Sequence, residues 1–438
     1  MKLKPYPKYK DSEIEWIGEI PEGWEVNKIK NTSYVKGRIG WHGLTSEEYS
    51  DEGAYLVTGT DFKDGVIEWE DCHHVGWDRY KEDPYIHLKE DDLLITKDGT
   101  IGKVALIKFL PNKATLNSGI FLVRPLNKKY FPKFMYWMLN STVFERFFDY
   151  IKTGATISHL YQETFERFFF PIPLKQEQVA IASFLDKKTA KIDALIEKDK
   201  RLIELLKEKR TALIDHAVTK GLDPNVKMKD FGIVWIGKIP EDAKIMPFRR
   251  VCYVNQGLQF PEDKRLSEPD EKSKIYITIK YIHADEDGVK EYIPNPPRGV
   301  ICKKEDVLLA RTGATGEVIT NQEGVFHNNF FKVNYNSKID RDYLVYYLKM
   351  DSIKKVLLLK AGVTTIPDLN HDAFLSTPFI LYSIEKQKQI AEYLDKKTAK
   401  IDKNIKLIEK KIKLLEEYKK SLINHVVTGK VDVRKSEV

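Results

Sequence analysis

Residues 186–193 read DKKTAKID, and residues 395–402 spell the same eight letters. The octapeptide sits inside a longer repeat: residues 176–219 set against 385–428 share 22 of 44 positions, ending in HAVT and HVVT. Chance does not produce that identity, so the chain carries one module written twice at an offset of 209 (395 less 186). The correspondence reaches further. WIGEIP (16–21) answers WIGKIP (235–240), and DLLITKDGTIGKV (92–104) answers DVLLARTGATGEV (306–318). FPKFMYWML (131–139) lies over DRDYLVYYL (340–348), and Gly154-Ala155-Thr156 over Gly362-Val363-Thr364. Two units are too few for a solenoid. They point instead to one molecule with an internal pseudo-twofold axis.

The most alike parts of the repeat are helical. Heptad steps through the second copy meet Leu394, Ile401, Ile408, Leu415 and Leu422, interleaved with Thr398, Ile405, Ile412, Lys419 and Val426. The first copy gives Leu185, Ile192, Asp199, Leu206 and Leu213, interleaved with Thr189, Ile196, Ile203, Arg210 and Ala217. An apolar seam at this spacing, flanked by Lys and Glu, predicts a coiled coil, and the other helix of the same chain is its nearest partner. Asp199 and Arg210 interrupt the seam, which weakens packing but can fix register. Each helix makes a rod roughly 66 Å long at about 1.5 Å per residue. Lys187, Lys188 and Lys191, with their twins Lys396, Lys397 and Lys400, lie off the seam yet are identical between copies. They are the candidate docking surface for two copies of one partner.

The globular parts have drifted apart. Strand-like runs YLVTGT (55–60), DLLITK (92–97), KVALIKF (103–109) and GIFLVRP (119–125) alternate with turns, and IYITIKYI, DVLLAR, EVIT and FFKVNY follow the same plan later. Phe134, Trp137, Met138, Phe144 and Phe148 have the spacing of a core rather than of a base-stacking platform. The expected fold is α+β: two mixed α/β domains joined by two long helices forming an antiparallel coiled coil, an internal pseudo-twofold repeat. Its segments are a first globular domain over 1–174, the first helix over 175–220, linker and second globular domain over 221–383, and the second helix with its tail over 384–438.

Hydrogen-bonding residues concentrate in the turns between strands. In the first domain these are Lys36, Arg38, Trp41, His42, Thr58, Thr60, Lys63, Lys97, Thr100, Asn117, Ser118, Thr156, Ser158 and His159. In the second they are Asn255, Gln256, Gln259, Thr278, Lys280, Arg311, Thr312, Thr315, Asn328, Asn329, Thr364 and Thr365. Arg and Lys suit guanine, Asn and Gln suit adenine, and Ser or Thr suit either, so these loops are candidates for reading DNA base edges. Ordinary surface turns use the same residue types. Backbone amides at Gly99, Gly102, Gly313 and Gly316 can meet phosphate oxygens.

Composition agrees without deciding. Of 438 residues 42% are hydrophobic and the net charge is +7, enough for more than one core and suited to a polyanionic partner. Cys72, Cys252 and Cys302 form no CxxC pair, and no run nears the ~18 apolar residues of a membrane span. A cytoplasmic protein without membrane attachment is expected. No catalytic constellation is found. Asn295-Pro296-Pro297 resembles a methyltransferase NPP[YF] motif but continues with Arg298. Pro367-Asp368 with Asp395-Lys396-Lys397 fits a nuclease pattern only loosely, and Cys72-His73-His74 lacks further ligands at zinc spacing.

Taken together, the duplicated module, WIGEIPEGW (16–24) with WIGKIP, the GTIG and GATG loops and the DKKTAKID helices resemble the specificity subunit of type I restriction–modification enzymes. The second copy departs where Glu241-Asp242-Ala243 replaces Glu22-Gly23-Trp24. The resemblance implies two target-recognition domains, each reading one half of a bipartite site in double-stranded DNA, with the helices setting an unread spacer. It implies two methyltransferase (modification) subunits and two restriction–translocation subunits as partners. S-adenosylmethionine, ATP and Mg would be held by those partners, with no cofactor or metal in this chain and no enzymatic activity of its own. The rod bounds the half-site separation at roughly 19 base pairs, with about one helical turn expected. Two rivals keep the architecture: a coiled-coil scaffold with two protein-binding modules, and the specificity subunit of a methylation-only or other defence system.

Overall fold

The strand Leu93–Thr96 carries four consecutive buried side chains, a pattern that a sheet with one wet face cannot give. The computed structural model, which describes residues 4–39, 44–151, 159–284, 290–362 and 367–436, shows why. Leu93 and Ile95 face a core shared with helices, while Leu94 faces a second core beneath another sheet. The four-stranded antiparallel sheet runs in the order Val104–Leu106, Leu93–Thr96, Ile120–Pro125, Ser33–Gly37. Behind it, Ala114–Leu116 pairs in parallel with Ala54–Val57, and the sheet continues through His73–Val75 to Tyr49–Ser50. Each side chain fully buried between the layers contributes about 1.5–3 kcal/mol of hydrophobic stabilisation.

The second repeat folds on the same plan. Cys252–Gln256, Phe330–Tyr335, Val307–Ala310 and Val318–Ile319 form the antiparallel sheet, and Gly324–Phe326 lies parallel to Ser273–Ile277. Val307 and Leu309 again face one core, Leu308 and Ala310 the other. The outer strands differ. In the second repeat Tyr292–Pro294 and Ile301–Cys302 flank the parallel pair on both sides, whereas the first repeat extends it on one side only. Divergence between the copies is therefore concentrated at the outer sheet, and the inner frame is kept.

A helical layer covers the other face. Pro132–Leu139 begins with proline at its first turn, where no amide partner is needed. Its counterpart Arg341–Leu348 is capped by Asp340, which accepts the amides of Asp342 at 3.1 Å and Tyr343 at 3.0 Å. Phe134, Trp137, Met138 and Phe144 are buried, and Phe148 packs at the edge of the same core.

Two long helices follow the globular parts, Lys175–Lys220 and Ile384–Val427. The chain divides into two compact units, Met1–Asp199 with Lys410–Val438, and Lys200–Glu409. Each unit thus owns half of each helix. In the first, Asp193 pairs with Lys419 and Asp199 with Lys411, so the two segments run antiparallel. In the second, Arg210 pairs with Asp402. All thirteen aliphatic seam residues predicted from the sequence, Leu185 to Leu422, are buried or half-buried. The tail beyond the second helix closes the first unit, where Asp432 bridges Lys4 and Tyr9 donates to Gly429 O at 3.1 Å. No helix among the described residues is long and apolar enough to cross a membrane.

Identical side chains fasten each helix to its own domain. Gln178 is buried, accepts the Phe131 amide at 2.6 Å and donates to Pro173 O at 2.8 Å. Gln387, its repeat equivalent, accepts the Asp340 amide and donates to Lys338 O and Tyr382 O, each at 2.9 Å. Within the octapeptide, Asp186 accepts the Trp137 indole at 2.9 Å and Asp395 the Tyr346 hydroxyl at 2.7 Å. The repeated letters are explained in part: Asp186 anchors, Thr189 and Ile192 fill the seam, and Asp193 pairs across it.

Tyr346→Phe keeps the ring and removes only the donor to Asp395, and is expected to destabilise the second unit by about 1.5 kcal/mol in chemical unfolding. Trp137→Phe removes the donor to Asp186 and part of a buried indole as well, and should cost the first unit more.

Candidate nucleic-acid interface

At one end of the antiparallel sheet in each unit, the chain turns through a pair of left-handed glycines. In the first unit these are Gly99 (φ 64°) and Gly102 (φ 88°), and in the second Gly313 (φ 82°) and Gly316 (φ 86°). Any other residue would be strained there. The turn closes through Gly102 N to Thr96 O at 2.9 Å, repeated as Gly316 N to Ala310 O at 2.9 Å.

The residue opening each turn is a cation that works mainly through its backbone. Lys97 N donates to Gly119 O and Lys97 O accepts from Leu160 N, both at 2.8 Å. Arg311 N donates to Asn329 O at 2.7 Å, and Arg311 O accepts from Leu369 N at 2.9 Å. Each cation lies 5.4 Å over a phenylalanine ring, Lys97 on Phe121 and Arg311 on Phe331. Three segments distant in sequence are so stapled together. Neither charge is free: Lys97 is 3.8 Å from Asp98, and Arg311 is 2.5 Å from Asp368 and donates to Leu369 O. Their side chains are only 12% and 13% exposed.

Around this junction the first unit gathers Thr58, Thr60, Thr100, Asn117, Ser118 and His159. The Thr58 and Thr60 hydroxyls are 2.7 Å apart, and buried Asp61 fixes their turn by accepting Thr58 N at 2.7 Å. Asn117 N donates to Val57 O at 2.9 Å, its side chain accepts the Ser118 amide at 2.7 Å, and its Nδ2 reaches Tyr49 OH at 3.4 Å. Thr100 is exposed on the glycine turn, and His159 is paired through Nδ1 with Asp98. In the second unit Gln256 donates to Asn328 O at 3.4 Å, and Gly313 lies against Ile279 and Asn329. Thr278 caps its short helix by accepting Tyr281 N at 3.0 Å, leaving Lys280 exposed beside it. Gln259 is exposed, Thr312 bridges Asp368, and the Asn328 Oδ1 atom is covered without a hydrogen-bond partner.

Several sequence candidates stand elsewhere. Arg38 is a correction: it is 2% exposed, forms an ion pair with buried Asp83, and donates to Leu116 O at 2.8 Å and Thr115 Oγ1 at 3.2 Å. Burial lowers its pKa, and Asp83 opposes that shift. Thr315 is likewise buried, its hydroxyl donating to Arg311 O and Pro367 O at 3.1 Å. Both residues build the frame and have no surface to offer DNA. Lys36 leans over Tyr34, Lys63 pairs with Glu68 at 3.4 Å on a hairpin, and Asn255 accepts Asn334 Nδ2 at 2.8 Å across the sheet. Trp41, His42, Thr156, Ser158, Thr364 and Thr365 lie outside the described residues.

The sequence reading missed Tyr161, 66% exposed and edge-on to His159 at 4.7 Å, and His371, whose ring is 4.6 Å from Phe331. It also missed His327, which accepts Asn329 N at 3.1 Å and whose pKa burial lowers. Tyr161 and His371 follow segments already suspected and His327 precedes one, but aromatic and histidine side chains outside the turns carried no local signal. The decoys are accounted for. Asp368 and Asp395 are engaged by Arg311 and Tyr346, His73 stacks on Tyr49, and His74 packs at a tilt against Tyr55. Among the described residues no group of three His, Cys, Asp or Glu side chains could hold a metal ion.

Among the described residues, hydroxyls, side-chain amides and glycine-turn amides make a hydrogen-bonding lip. The match to known proteins is consistent with that. The model of the type I restriction modification DNA specificity domain fits residues 21–205 and again 240–417, well over half of the chain. The chain belongs to that family. It is 26% identical over 432 residues to the putative type I restriction enzyme MjaX specificity subunit of Methanocaldococcus jannaschii, covering 95% of this chain and 96% of that one. The MjaVIII specificity subunit of the same organism is 25% identical over 440 residues, covering 95% and 94%. Among solved structures, the HsdS subunit from Thermoanaerobacter tengcongensis matches with a TM-score of 0.52 at 15% identity, over 94% of this chain and 98% of that one. A chain solved to explain complex assembly and conformational transition of the type I R-M system matches with a TM-score of 0.67 at 14% identity, over 94% and 99%. At these identities the structural likeness speaks for the fold alone.

Arg38→Ala should act on folding and not on recognition. Leaving Asp83 buried without its guanidinium is expected to cost about 3–5 kcal/mol, seen as a lowered thermal transition of the first unit. Thr100→Ala, on the exposed turn, should leave that transition in place.

Proposed function

We propose that this chain is the DNA sequence-specificity subunit of a type I restriction–modification complex, its two domains reading the two halves of an asymmetric, bipartite site. One observation carries the reading: the same stapled junction occurs twice, with unlike lips. Past the parallel strands of the first unit stand Thr58, Thr60, Asn117 and Ser118; at the equivalent places of the second stand Thr278, Lys280, His327 and Asn328. One frame filled in two ways reads two different half-sites. A well-placed bidentate contact discriminates a base by about 1–3 kcal/mol, so a few such side chains per domain suffice.

The long helices form an antiparallel coiled coil that sets the unread spacer and seats two methyltransferase subunits. Support comes from residues that the fold does not use. Lys187, Lys191, Lys396 and Lys400 are exposed, and Lys188 and Lys397 lean over Phe184 and Tyr393 at corresponding places. Leu205 and Leu414, also equivalent in the repeat, are 46% and 53% exposed. Two like surfaces suit two copies of one partner. The chemistry belongs to the partners: S-adenosylmethionine in the methyltransferases, ATP and Mg in two restriction–translocation subunits. This chain is non-catalytic and acts in the cytoplasm.

Methylome sequencing of the host with and without this chain tests the reading, because a split motif must vanish when the chain is removed. Exchanging residues 226–383 for those of another such subunit is then expected to change one half-site and keep the other. A change in both would overturn the two-reader assignment. In direct binding, log K should fall linearly with log salt, as for any protein that neutralises phosphates, and a flat response would favour a protein-binding scaffold.

A further inference from the structure

Ion pairs between the long helices are of two kinds. Lys419 Nζ lies 2.6 and 2.8 Å from the Asp193 carboxylate, and Arg210 Nε lies 2.9 Å from Asp402. At the repeat offset Asp193 becomes Asp402 and Arg210 becomes Lys419, so these are one pair seen twice. The pair at Asp199 is different. Lys411 Nζ is 3.0 Å from Asp199 Oδ1 and 2.8 Å from Oδ2, and Asp199 is only 6% exposed. The repeat equivalents of Lys411 and Asp199 are Leu202 and Ile408, both apolar.

We infer that the Asp199–Lys411 pair decides which helix accepts which: it commits the first helix to the second and rejects pairing of either with its own counterpart in another copy of the chain. The rest of the seam cannot make that choice. The octapeptide is identical in both helices, most seam positions are aliphatic in both, and the Asp193–Lys419 contact would re-form as Asp193–Arg210 between two first helices. At Asp199 the exchange fails. In the same register, Asp199 of one first helix would face Leu202 of the other, with the second Asp199 about one turn away. Two second helices would set Lys411 against Ile408 and bring the two lysines together. The first arrangement covers Asp199 without its counter-charge, which costs more than the native pair contributes, and the second sets two half-exposed lysines side by side. A polar residue in a coiled-coil seam selects partner and register at the expense of stability. The excluded partner is a second copy of this chain, and its exclusion keeps two different domains in one molecule.

The test uses the full-length chain and sedimentation velocity after refolding at increasing concentration. Wild type and the swap Asp199→Lys with Lys411→Asp are expected to be monomeric. Asp199→Lys alone sets lysine against lysine, and its first unit should melt about 10 °C lower. Alone it gains nothing by pairing like helices, which again sets lysine beside lysine, and it should stay monomeric; mixed with Lys411→Asp, which supplies the missing carboxylate, it should give a one-to-one dimer. Asp199→Ile with Lys411→Leu supplies an apolar version that folds without either charge, and it should distribute between monomer and dimer. If Asp199→Lys does not fold, the apolar version decides. An apolar version that stays monomeric wherever wild type does, or an Asp199→Lys chain that melts with wild type and gives no dimer with Lys411→Asp, overturns the inference. Dimerisation of the wild type through like helices would overturn it as well.

Discussion

A buried glutamine and, two turns later, an aspartate fasten each long helix to the domain that precedes it. Gln178 and Gln387 satisfy backbone groups at the start of a helix that would otherwise be orphaned, and Asp186 and Asp395 take an indole or phenol donor from that helix's inner face. Everything else is referred to this joint. It fixes how the helical layer meets the seam, and the helical layer in turn covers the sheet whose far end carries the glycine turns. Removing a partner from the buried glutamine costs more than its hydrogen bonds contribute, so the joint is kept while neighbouring positions change.

The candidate interface obeys the same economy of variation. Its frame is made of backbone hydrogen bonds through Lys97 and Arg311, whose cations are steadied on Phe121 and Phe331. Away from the left-handed glycines, backbone bonds leave the side chains of the turns they hold free to vary. Thr58, Asn117, Gln256 and Asn328 can therefore differ between the domains without disturbing the sheet. Variation extends to the outer strands, where the two repeats add different edges to the same parallel pair. A rigid inner frame with a variable rim suits a protein that must recognise two unlike targets with one fold.

Much of this was legible in the letters. The duplication, the seam from Leu185 to Leu422, the aromatic core at Phe134 and Trp137, and the paired glycine turns all follow from spacing, because helices and strands repeat with fixed periods. So did the resemblance that named the family, since it rests on the order of those same motifs along the chain.

What spacing cannot carry is which distant group meets which. Arg38 looked like a reader of DNA until Asp83, 45 residues away, was found holding it beneath the sheet. Thr315 is buried in the same way, and Tyr161 and His371 join the candidate interface only because tertiary packing sets them against His159 and Phe331. Asp199 read as a polar break in the seam that can fix register, and only the antiparallel meeting of two helix segments gave it Lys411. The sequence by itself determined the elements and their twofold repetition, because periodicity is local. The tertiary structure decided which charges are spent inside and which remain for a partner, because burial and pairing belong to contacts between residues far apart in the chain.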